Sequence, residues 1–152
     1  MAPKAYGTCP LPPSDLKFNC DPALAGRIAC YNRHYAEHSG YAFGPKITFE
    51  SELTQSKTGT LLFYDSVSNK PLFEAPQGRS ISDFLTESEH HGWPSFRDSE
   101  VVWENVRVLE DGETVSVDGT HLGHNLPDRK GNRYCINLVC IAGKGPIEVN
   151  QK

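Results

Sequence analysis

The chain has 152 residues, 38% hydrophobic and 22% charged, the proportions of one globular domain with a single core. A formal net charge of -4 without any lysine- or arginine-rich block removes the usual footprint for nucleic acid or an anionic membrane. The start, MAPKAYGTCPLPPSD, has no apolar run behind its lysine, and nowhere do about 18 apolar residues follow one another, so the expected setting is soluble and cytoplasmic.

Residues 1–20 are rich in proline and poor in periodicity, which predicts a segment lying over the surface. Asp21-Pro22 reads as an N-cap followed by proline at the first helical position. Leu24, Ile28, Tyr31 and Tyr35 recur at helical spacing, and the pattern predicts a helix over 22–38 with Gly40 beyond it. From Ile47 onward the chain shifts to short runs of β-branched and aromatic residues. LLFY at 61–64, VVWENVRVL at 101–109 and ETVSVD at 113–118 read as strands, with a Glu110-Asp111-Gly112 turn between the last two. Ser82-Asp83-Phe84-Leu85 reads as a helical turn, and SEHHGWPSF after it as a loop, because Gly92 and Pro94 interrupt regular structure. RYCINLVCIAG reads as a last strand, with Cys135, Asn137 and Val139 on the face opposite Tyr134, Ile136 and Leu138.

The densest chemistry lies in HLGHNLPDRKGNRYCIN, residues 121–137. His121, His124, Asp128 and Cys135 are all metal-ligand types, but their offsets match no standard zinc site. A second reading has these residues satisfying backbone groups around a turn. A third has Arg133 and the two histidines giving Cys135 a cationic surrounding that lowers its thiol pKa and makes it a nucleophile. The five cysteines, Cys9, Cys20, Cys30, Cys135 and Cys140, are odd in number and contain no CxxC pair, which disfavours both a zinc ribbon and a fully paired disulfide scaffold. In HHGWPSF, residues 90–96, Trp93 either caps the core or lines a pocket for an apolar or thioether group. Neither a nucleotide-binding glycine series nor a serine-hydrolase elbow is present in this region.

Taken together, GWPSF, the downstream HLGH, an aspartate and RYCIN resemble the B-type peptide methionine sulfoxide reductases, which act on the R epimer. The match covers residues 92–96 and 121–137, and extends more weakly through YDSVSNKPLF at 64–73. The resemblance implies a mainly β, Mss4-like fold of two antiparallel sheets, here over 51–152, preceded by an N-terminal extension over 1–50 with one helix packed on the domain. It implies that Cys135 attacks the sulfoxide sulfur and that His121 and His124 assist proton delivery to the oxygen. Asp128, Arg133 and Asn137 fall where the family orients and polarises this centre. Trp93, Phe96 and His91 are the substrate-binding candidates, with Trp93 against the substrate methyl group.

Attack would leave Cys135 as a sulfenic acid, which a second thiol condenses with before a thioredoxin-like partner resets it. His91 stands where the GCGWPSF form of the family has its resolving cysteine. Cys140 is too close along an extended strand, since five residues span roughly 16 Å and a disulfide needs Cα atoms within about 7 Å. Cys9, Cys20 and Cys30 on the extension are in reach instead, with Cys20 and Cys30 the preferred resolving candidates, and an external thiol acting directly is the other route. Asp65, Ser68, Val115 and Asp118 replace the four zinc-binding cysteines of many family members, so no metal and no other cofactor is expected. Arg129 and Leu138 replace the family's glycine and serine, and the segment between Phe73 and Trp93 is longer. These changes keep two alternatives in play: an enzyme acting on a specialised small molecule through His121 and His124, and a binding module without catalysis.

Overall fold

The computed structural model describes residues 16–29 and 36–145. Its first helix, α1 (Pro22–Ala29), starts where the proline places it, with the Asp21 carboxylate accepting the Ala23 N–H at 3.0 Å. Ala25, Ile28 and Ala29 are fully buried in the same core as the sheets. The predicted extension of this helix to residue 38 fails over 36–38, which are not helical, while 30–35 lie outside the described residues. Bonds from Glu37 to the far end of the chain replace helical bonds there.

A second short helix, α2 (Phe49–Thr54), buries Phe49 and Leu53 and was not anticipated from the sequence. β1 (Leu61–Tyr64) coincides with the predicted strand and pairs antiparallel with β2 (Pro71–Ala75), Phe63 lying opposite Phe73. The predicted helical turn at 82–85 and the first part of the predicted loop, 88–91, are instead one full helix, α3 (Ile81–His91), while residues 92–94 are irregular as expected. Ser80 caps its start by accepting the Asp83 N–H at 3.0 Å, and Gly92 ends it at φ +89°, in the left-handed region open to glycine. Gly92 is thus the helix stop rather than part of a loop. A Cβ at Gly92 would also lie 1.9 Å from the Ser39 hydroxyl oxygen, so the position has no room for a side chain.

The remaining strands are β3 (Ser95–Phe96), β4 (Val106–Val108), β5 (Glu113–Ser116), β6 (His121–Asn125) and β7 (Tyr134–Ile136). They form a five-stranded antiparallel sheet in the order β3-β7-β6-β5-β4. The predicted strand over 101–109 survives only as β4. Before it the chain turns, with the Asn105 N–H bonded to the Val102 carbonyl and the Asn105 side chain to the Pro71 carbonyl. The last predicted strand also ends early, because Leu138–Ile141 form a 3₁₀ turn. Phe96 stacks on Phe73 at 4.2 Å with 10° between ring planes, and Phe63 and Phe84 pack around it, joining the two sheets and α3 through one aromatic core. The architecture is a small mixed α/β domain with two antiparallel sheets and helices, richer in helix than the mainly β expectation. No helix among the described residues is long and apolar enough to cross a membrane.

Candidate functional site

The five-stranded sheet sets four side chains in a row. Ser95 lies opposite Cys135, Cys135 opposite His124, and His124 opposite Glu113. Residues directly opposite in an antiparallel pair project from the same face, so this row is a consequence of register. His121 would not join it in a regular strand, because residues three apart point to opposite faces. The β5–β6 register corrects this: Thr114 pairs with Gly123 and Val115 with His121, leaving Leu122 as an extra residue. That bulge returns His121 to the face of His124 while Leu122 stays buried in the core. Gly123 lets the strands close up, since a Cβ there would lie 2.0 Å from the Cys135 carbonyl oxygen.

Ala36, Trp93, His121, Gly123, His124, Leu126, Cys135 and Asn137 enclose a cavity of about 150 Å³. One Arg133 Nη1 lies 3.5 Å from the Cys135 sulfur and 3.5 Å from the Ser95 hydroxyl oxygen. Burial nevertheless pushes the Cys135 thiol above its ordinary value, outweighing the charge and hydrogen bond of Arg133 and the hydrogen bond with Ser95. The expectation of a lowered thiol pKa is therefore corrected: Arg133 opposes the desolvation but does not overcome it. His121 is buried, and its Nδ1 lies 2.7 Å from a Glu113 carboxylate oxygen. This contact commits Nδ1 to Glu113 and fixes the orientation of the ring.

Glu37, which sequence reasoning missed, organises the opposite wall. Its N–H donates to the Asn137 side-chain oxygen at 2.9 Å, and its carbonyl accepts the Trp93 indole N–H at 3.1 Å. Its carboxylate oxygens accept the N–H groups of Leu138 and Val139 at 3.0 and 3.1 Å. Burial pushes this carboxyl up to about 8, against those two backbone donors, which favour the charged form. Asn137 in turn donates to the Leu122 carbonyl from both its backbone and its side chain, each at 2.9 Å. It therefore pins the bulge that orients the histidines.

The chain matches no protein-family model and no solved structure. Of the residues singled out from sequence, Cys135, His121, His124, Asn137 and Trp93 meet at the cavity, and Arg133 reaches it from behind Cys135. Asp128 lies outside the lining. Arg97 grips it in a two-pronged contact, both distances 2.9 Å, and holds its carboxyl well below the usual carboxylate range. Arg133 approaches Asp128 more loosely, at 3.9 Å. Among the described residues, Arg133 is the contact that links Asp128 to Cys135.

Phe96 is fully buried in the aromatic core and does not reach the cavity, so its assignment to substrate binding is corrected to packing. The alternation of the strand explains this, since Ser95 takes the site face and its neighbour takes the core. His91 ends α3 on a separate open groove with Glu87, His90 and Arg97. Its pKa is lowered by burial and by the positive charges of Arg133 and His90. Cys20 is a buried free thiol raised by burial and by the Glu37 charge, Cys140 is fully buried, and Cys30 lies outside the described residues. The extended-strand geometry used against Cys140 holds only to Ile136.

At the four positions aligned with zinc ligands, Asp65 accepts the N–H groups of Val67 and Ser68 and the Thr120 hydroxyl, and Asp118 pairs with Lys70 at 3.3 Å. Among the described residues no group of three or more histidines, cysteines or acids is arranged to hold a metal ion. Glu113 was also missed from the sequence. Its place in ETVSVD, directly after a turn glycine, read only as part of a strand.

Proposed function

We propose that this chain is a divergent, Mss4-like relative of the B-type peptide methionine sulfoxide reductases, reducing methionine-R-sulfoxide through Cys135. The observation that carries the reading is the meeting of Cys135, both histidines, Asn137 and Trp93 around one cavity of about 150 Å³. That volume suits a side-chain-sized group rather than a nucleotide or sugar, whose sites run to about 300 Å³ and more. The indole supplies a flat apolar wall for a methyl group, and the sulfur nucleophile and nitrogen acids flank the same space.

In the proposed step the Cys135 sulfur attacks the sulfoxide sulfur while a histidine gives a proton to the oxygen. The oxygen passes to Cys135 as a sulfenic acid and the thioether leaves: the substrate sulfur gains two electrons and Cys135 loses two. A dithiol partner of thioredoxin type then closes the cycle. Its first thiol condenses with the sulfenic acid and releases water, and its second displaces Cys135 as a thiol, leaving the partner as a disulfide. Because Cys135 is held towards its protonated form, the attack needs a base, and His124, directly across the strand pair, is placed to take the thiol proton.

The same raised thiol pKa and the Glu113–His121 pair favour one second reading, acid–base chemistry on a small molecule without a thiolate. The deciding experiment incubates R and S epimers of a methionine-sulfoxide peptide with dithiothreitol and the wild-type or Cys135→Ser protein. Stereospecific turnover lost in the serine variant, with one added oxygen or a new disulfide at Cys135 when reductant is withheld, supports the reductase. Turnover retained in Cys135→Ser, or none in the wild type, removes it.

A further inference from the structure

We infer that Glu37 is a positioning residue that fastens residues 36–40 across the sheet as the outer wall of the Cys135 cavity, setting the Trp93 indole and the Asn137 clamp in one arrangement. The functional reading above is its premise only where turnover is concerned. The wall itself rests on geometry.

Tryptophan has a single polar donor, and that of Trp93 is spent on the Glu37 carbonyl. The indole orientation is therefore set by where residue 37 sits. Residue 37 sits where it does because its own N–H is held by Asn137 and its carboxyl bridges Leu138 and Val139, about a hundred residues further along the chain. Ala36, its neighbour, lines the cavity directly. On the other side of His38 the Gly40 N–H donates to the Gly92 carbonyl at 2.8 Å, so the segment is tied down at both ends, the second time to the residue before Trp93. One residue thereby links, through its carboxyl, the turn at Leu138 and Val139, and, through its own backbone, the Asn137 clamp on the bulge that orients the histidines and the Trp93 indole. A residue that merely filled space would need none of these bonds.

The test uses the full chain with Glu37→Gln, which keeps the size but fixes an amide donor against one of two backbone donors, and Glu37→Asp, which keeps the carboxyl but shortens the reach. Proton NMR follows exchange of the two indole N–H groups, assigned with a Trp93→Phe variant. Trp103, whose indole donates to the Asp98 carbonyl, is the internal control. Expected in Glu37→Gln are an exchange rate about tenfold faster at Trp93 alone and about tenfold faster alkylation of Cys135, the effect of losing one buried hydrogen bond. Glu37→Asp is expected to fall between the wild type and Glu37→Gln. For a sulfoxide peptide the KM is expected to rise about tenfold with a smaller change in kcat. Equal acceleration at both indoles, or no change at Trp93, overturns the inference. If no sulfoxide is turned over but Trp93 exchange and Cys135 alkylation respond as described, the reductase proposal falls and the positioning role stands.

Discussion

Replacing Arg133 by Met removes the one guanidinium that lies beside the Cys135 sulfur among the described residues, while keeping an apolar stem of similar length. At the observed 3.5 Å, a full charge pair interacts by about 1 kcal/mol in bulk water and about 5 kcal/mol at an effective dielectric of about 20. Cys135 is half-buried at a cavity mouth, so about 2 kcal/mol is a reasonable working figure, equivalent to a roughly 30-fold loss of thiolate at fixed pH. The surviving thiolate is a better nucleophile, with rate following basicity at a slope of about 0.4–0.5, which recovers part of the loss and leaves alkylation about fivefold slower. The assay is iodoacetamide labelling at pH 7–8, read by mass spectrometry on the peptide containing Cys135, with circular dichroism confirming the fold. Arg133→Lys is expected to lose less, since the charge remains. Alkylation that is unchanged or faster in Arg133→Met, with the fold intact, would refute the claim that Arg133 opposes the burial of this thiol.

Phe96→Ala is expected to cost about 3–5 kcal/mol in urea unfolding, because the ring is fully buried between both sheets and α3; a small stability change with a raised KM would reinstate it as a substrate contact. Glu113→Gln is expected to lower kcat for sulfoxide reduction by about ten- to a hundredfold with KM little changed, since it loosens the His121 ring and leaves the cavity walls in place; an unaltered kcat counts against His121 as the proton donor. Glu37 adds a pH dependence whose sign is fixed. Its carboxyl is raised from 4.5 to about 8 on folding, so between those values the folded chain holds a proton that the unfolded chain has released, and stability falls as pH rises. Tm is expected to drop across that window, with a shallower slope in Glu37→Gln, and parallel slopes in the two proteins would contradict the assignment.

Local signals read true where local forces decide. LLFY is β1 to the residue, Pro22 opens α1, and Gly112 closes the turn before β5 at φ +97°. The misreading of residues 88–91 came from treating Gly92 and Pro94 as interruptions. With Ser80 accepting from Asp83, and Ile81, Phe84, Leu85 and Ser88 at helical spacing, the same glycine is a C-cap and the proline lies beyond the stop. The reverse error, a strand over 101–109, followed β-branched residues that tertiary contacts override. Val101 bridges Phe73, and Asn105 turns the chain by binding the Pro71 carbonyl.

The site was legible as a set of residue types, but its assembly was not. A His-x-x-His spacing on a strand puts the two rings on opposite faces, and only an extra residue between them brings both to Cys135. Nothing in HLGH announces that Leu122 is that residue, because a bulge is decided by what the partner strand and the next turn offer. Here the offer comes from Asn137, whose two N–H groups converge on the Leu122 carbonyl, and Asn137 is itself held by the N–H of Glu37, about a hundred residues earlier. Asn137 is therefore committed to holding the bulge before it meets any ligand. The N-terminal segment, which carries no family motif, supplies through Glu37 one of the bonds on which the arrangement of the motif residues depends.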